Sequence, residues 1–125
     1  MKLLAVVASA LALACSAAAH PVLKGGAPGF PKIPGKWSHV DLNVTIRHVP
    51  HTITLDRGRL MQVTPTQLQI READGSLWTI PVSNTTIVAI LGRPGSLFDL
   101  RKREQVETMR IDGGPAVRVR VTSRS

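Results

Sequence analysis

Histidine is the one side chain present in numbers that suit a transition metal: His20, His39, His48 and His51. His48 and His51 bracket Val49-Pro50, a turn-forming pair, and His39 precedes them in the same stretch. Imidazoles gathered on a turn suit zinc or copper. If export made His20 the first residue, its α-amine and ring would add a copper-chelating pair. A closed zinc site takes four ligands. The only cysteine, Cys15, is remote, and Asp41 is the only nearby acid that would help. No metal centre is therefore assigned and no cofactor is called for; the four histidines stand as candidates.

The second chemistry is cationic. Arg57 and Arg59, and again Arg118 and Arg120, are spaced by two, which puts each pair on one face of a strand. Arg101-Lys102-Arg103 adds a third basic run. With 16 Lys and Arg against 8 Asp and Glu, the chain carries a formal +8. Such a balance favours anionic surfaces. If the strands that close the fold neighbour the first ones, Arg57, Arg59, Arg118 and Arg120 share a face. The partner expected for it is an anionic cell-envelope polymer or an envelope protein. Nucleic acid is a poor fit, because single-strand binders use aromatic platforms and the chain has no Tyr, two Phe and two Trp. Ser96, Asp99 and a histidine do not make a triad: no G-x-S-x-G elbow surrounds the serine. No carboxylates are paired at a useful spacing either, so the chain is not read as an enzyme.

The positioning elements begin with a leader. Lys2, an apolar run from Leu3 to Ala14, and Ala17-Ala18-Ala19 make a secretory signal peptide over 1–19, with cleavage after Ala19. The protein is then secreted or held in the cell envelope. The alternative is a lipoprotein anchored to the membrane through Cys15. Residues 20–36 contain Gly25, Gly26, Pro28, Gly29, Pro31, Pro34 and Gly35 and read as a flexible linker. The domain proper is 37–125, and a monomer is expected.

Within it, Val40, Leu42, Val44 and Ile46 alternate with polar residues, as a half-buried strand does, and Pro50 should end that strand. Thr52 to Val63 forms the next, with a bulge or bend at Gly58. Gln67 to Arg71 and Leu77 to Val82 flank Ala73-Asp74-Gly75-Ser76 as a hairpin. Thr86 to Leu91, Val106 to Ile111 and Ala116 to Val121 complete the set. Ser96 caps a short helical turn whose Leu97, Phe98 and Leu100 should plug one end of the fold. About six or seven short strands with frequent turn signals indicate an all-β domain, a small antiparallel barrel.

Gly58-Arg-Leu-Met-Gln-Val63, Leu68-Gln-Ile70, Asp74-Gly75, Ile80-Pro-Val82, Thr86 and Gly92-x-x-x-Ser-Leu-Phe-Asp-Leu100 occur in that order. Over residues 52–121 this resembles a family of exported, actinobacterial-type domains of unknown function built as small OB-like β-barrels. The resemblance implies a fold and brings no catalytic residues. In one respect the chain departs from it: the family has a glycine where Arg103 stands, so the turn there must differ or carry strain.

Overall fold

The computed structural model describes residues 27–124. The leader, Cys15 and His20 lie outside the described residues. The chain is all-β, with strands β1 (His39–Ile46), β2 (Val49–Val63), β3 (Gln67–Arg71), β4 (Leu77–Pro81), β5 (Ile87–Ile90), β6 (Arg93–Gly95), β7 (Gln105–Ile111) and β8 (Ala116–Ser123). A 3-10 turn, Leu97–Asp99, lies between β6 and β7.

The eight strands form one sheet in the order β4-β3-β2-β7-β8-β5-β6, with β1 also paired to β2. The ladder is not closed into a barrel among the described residues. The sheet nevertheless coils, because residues from both ends of that order meet in one cluster: Ile70 and Ile80 with Val88, Val106, Val119 and Val121. A second cluster of Ile53, Leu55, Met109 and Ile111 lies on the opposite face. Val40, Leu42 and Val44 of β1 cover it, together with Phe30, Ile33 and Trp37. Residues 27–36 form no helix or strand, as their Gly and Pro content dictates, yet they pack against this second cluster through Phe30 and Ile33.

Three local features differ from the sequence reading. β1 and β2 join through Arg47-His48 alone, both at positive φ (50° and 69°), with Ile46 opposite Val49. Tight turns of this kind usually announce themselves as Asn-Gly or Asp-Gly, and Arg-His carries no such signal. Pro50 therefore lies inside β2, beyond the last residue paired to β7, where no ladder bond needs its missing N–H. The register shift of β2 falls between Leu60 and Gln62 rather than at Gly58. Gly58 serves a close approach instead: a Cβ there would meet the Arg71 carbonyl oxygen at 2.4 Å. Finally, β5 pairs with β8 in parallel, not antiparallel, and Leu91-Gly92 turns the chain back into β6.

The 3-10 turn is also a partial correction. Leu100 is buried and Leu97 packs against the first cluster, but Phe98 is 90% exposed and plugs nothing. Arg103 takes φ 78° in the position where the resemblance has glycine, and its N–H donates to Leu60 O at 2.7 Å. The turn carries the strain of a non-glycine residue at positive φ.

Candidate functional site

Strand register brings the four nominated arginines to one face. Arg57 stands opposite Glu107, which stands opposite Arg120. One row along, Arg59 faces Gln105 on β7 and Arg71 on β3. One row the other way, Arg118 is opposite Met109. β7 thus separates the two arginine pairs and supplies the acid between them.

Glu107 is buried and holds its two neighbours by both oxygens. Arg57 Nε donates to Oε2 at 2.7 Å and Arg120 Nε to Oε1 at 2.7 Å, with the terminal nitrogens at 2.6 and 2.5 Å. Each guanidinium lies against a ring, Arg57 at 4.0 Å from the Trp37 centroid and Arg120 at 4.2 Å from Phe30. Cation–π contacts of this kind add roughly 0.5–1 kcal/mol where partly exposed. Arg118 donates to the carbonyls of Pro28 (2.7 Å) and Ala27 (2.9 Å). Arg57, Arg118 and Arg120 are therefore half-buried fasteners for residues 27–37, not free outward charges. Arg59 and Arg71 are exposed. They border a cleft of about 300 Å³ lined also by Trp37, Ser38, Arg57 and Gln105. Trp37 Nε1, buried, has no hydrogen-bond partner.

The opposite face carries a different chemistry. His39 pairs in register with Asp56, and its Nδ1 lies 2.6 Å from Asp56 Oδ1. Asp56 is fully buried and Glu72 is 4% exposed. One ligand atom from each of the three residues falls within 4.8 Å of the others. Arg110 Nη2 reaches Asp56 Oδ2 at 3.5 Å, and the Trp78 ring stacks on His39 at 5.1 Å. Burial, then the hydrogen bond to Asp56, pushes Glu72 up to about 8, and Glu72 also lines the arginine cleft. The hydrogen bond to Asp56 raises His39 above its ordinary value. The hydrogen bond from Thr54 lowers Asp41.

The other histidines go elsewhere. His48 is exposed in the β1–β2 turn. His51 is buried and its Nδ1 meets Asp112 Oδ2 at 2.5 Å, while Thr52 N–H donates to Oδ1 of the same carboxylate. Among the described residues, His39, Asp56 and Glu72 make the only group of three or more His, Cys, Asp and Glu with metal-ligand spacing. Among the described residues the candidates His39, His48 and His51 are not gathered into one cluster. Ser96 and Asp99 cap the 3-10 turn together: Ser96 N–H donates to Asp99 Oδ2 at 2.9 Å. Asp56, Glu72 and Arg71 were missed as site residues. Parity along the strands would have found the two acids: Asp56 is in step with Leu60, and Glu72 with Leu68 and Ile70, all of them inward.

No family model matches the chain, and neither curated proteins nor solved structures yield a match.

Proposed function

We propose that this is an exported, non-catalytic binding domain of the cell envelope that takes an anionic polymer on its arginine face. The resemblance to exported OB-like domains and the signal-peptide pattern support the location. The observation that carries the binding is the register: Arg57, Arg59, Arg71, Arg118 and Arg120 share one face with a single acid, Glu107. Glu107 neutralises one charge, so the face keeps a net positive charge. Arg59 and Arg71 extend exposed guanidinium groups at its open end, where planar forks suit the phosphate or carboxylate groups of a polymer.

The test is binding to long-chain polyphosphate at several salt concentrations. Affinity should fall steeply with salt, because counterion release and screened attraction drive it. Arg59→Glu with Arg71→Glu should abolish binding. Reversing Lys24 and Lys32 to glutamate changes net charge equally and should leave most of it. Equal loss from both pairs would reduce the effect to net charge. Binding retained by the arginine variant would move the polymer off this face and leave an envelope protein as its partner.

A further inference from the structure

We propose that His39, Asp56 and Glu72 form a site for one divalent first-row cation, zinc foremost, held by an imidazole nitrogen and two carboxylate oxygens. His39 and Asp56 lie on the other face of the sheet from the arginines, and Glu72, just past the end of β3, also lines the arginine cleft; the proposal does not depend on the polymer reading. It also differs from a histidine cluster, since only one imidazole takes part.

Four observations converge on it. The three ligand atoms already lie within 4.8 Å of one another, and a mixed imidazole and carboxylate set suits borderline divalent ions. Two carboxyl groups are withdrawn from water, with one guanidinium, that of Arg110, in reach. Buried carboxylates are normally matched by cations or by hydrogen bonds.

The third observation is unmet bonding capacity at the same spot. Glu72 Oε2, Thr108 Oγ1 and Arg110 Nε are all buried without a hydrogen-bond partner. Thr108 is the cross-strand neighbour of Asp56, and Arg110 is its ion-pair partner. Glu72 thus carries an unpaired oxygen on a carboxyl group that lies beside Asp56 and His39. A bound cation would satisfy that oxygen.

The fourth is the support behind the ring. With Nδ1 turned toward Asp56, His39 Nε2 lies 3.4 Å from Asp41 Oδ2, and Asp41 is itself fixed by Thr54 Oγ1 at 2.7 Å. A metal-bound histidine commonly donates its other N–H to a carboxylate, which holds the tautomer and the ring plane. Trp78 stacked on the same ring restrains it further. Ligands about 2.1 Å from a tetrahedral zinc are about 3.4 Å apart, so the 2.6 Å contact between His39 and Asp56 must open slightly. His39 stands at the first residue of β1 and is partly exposed, which gives the ion a way in.

The experiment is zinc titration of the exported chain after stripping with a chelator, read by calorimetry and by melting temperature. One equivalent should bind and raise the melting temperature. Glu72→Gln keeps the side chain's shape and removes the charge. It should weaken binding by on the order of 100-fold or more, since even outer partners of metal ligands are worth roughly 10–100-fold. His48→Ala should bind as the parent does. Imidazole NMR of the parent chain is the second readout and needs no variant: zinc should shift His39 and leave His48 in place. The proposal is overturned if zinc near 1 mM leaves the melting temperature unchanged, if Glu72→Gln binds equally well, or if His20 or His48 responds in place of His39.

Discussion

Glu107 and Glu72 are both almost wholly shielded from water, and their surroundings treat the buried carboxyl in opposite ways. Glu107 is 3% exposed and is clasped by two guanidinium groups that occupy both of its oxygens. Glu72 is 4% exposed, has an oxygen with no partner, and lies beside a second carboxylate. The first is neutralised by fixed cations, and the second keeps an oxygen without a partner. A carboxylate matched by arginine is part of the fold's wiring. One with an unpartnered oxygen, set beside a second carboxylate and an imidazole, has room for a cation, and this contrast is why the metal proposal falls on Glu72 and its neighbours.

The largest expected effect comes from breaking the matched side. Glu107→Gln removes the counter-charge of Arg57 and Arg120 and loosens Trp37 and Phe30, which lie over them. Its cost should be about 3 kcal/mol, at the lower end for breaking a buried pair, because the two arginines retain access to water. Urea denaturation measures it. A loss below about 1 kcal/mol would mean that the clasp is not structural, and the comparison would fail at its first term.

Glu72→Gln should act in the other direction. In the unfolded chain Glu72 ionises near 4.5, and in the folded chain near 8. Between those values the folded state holds more protons, so stability falls as pH rises. His39, raised by its bond to Asp56, contributes with the same sign: its stabilisation is complete below 6.5 and fades as pH rises through the higher folded value. Asp56, Asp74 and Arg110 are the other charged groups facing this pair; Asp41 faces the histidine. With a chelator present, the parent should therefore melt highest near pH 5 and progressively lower toward pH 9. Glu72→Gln should flatten that profile, leave only the histidine part, and equal or exceed the parent at pH 8. A parent profile with no slope between pH 5 and 9 would place the Glu72 carboxyl in water.

Much of this fold was legible because β-strands declare their faces by alternation. Val40 to Ile46, the Asp74-Gly75 hairpin and Val119 with Val121 lie where the pattern puts them. Hairpins whose turns use ordinary residues were not legible, since Arg47 and His48 reach positive φ without glycine. Nor was the exposure of Phe98, because an aromatic next to Leu97 and Leu100 reads as core until the direction of a single turn is known. Spacing put each arginine pair on one strand face, and left open whether the two pairs share it. The acid that binds them and the segment that covers them depend on β7 lying between β2 and β8, a long-range pairing that alternation cannot specify. His39 was singled out for the wrong companions. Its neighbours are acids from β2 and from the end of β3, joined by register rather than by proximity in sequence.

The smallest effect sharpens the arginine side of the comparison. Arg59 and Arg71 are exposed cross-strand partners, and like charges directly opposite on a sheet are destabilising. Folding alone would favour an acid in one of the two places. Arg59→Glu should therefore stabilise the domain by about 0.5 kcal/mol, the middle of the range for an opposite-charge cross-strand pair, while weakening polymer binding. Chemical denaturation and the polyphosphate assay on the same sample decide it. A gain in stability with a loss of binding is the trade expected where a surface is kept for a partner. No gain would show that solvent screens the pair fully. A gain with binding intact would leave Arg59 and Arg71 as an accident of composition, and the exposed cleft beside Trp37 would no longer mark the ligand.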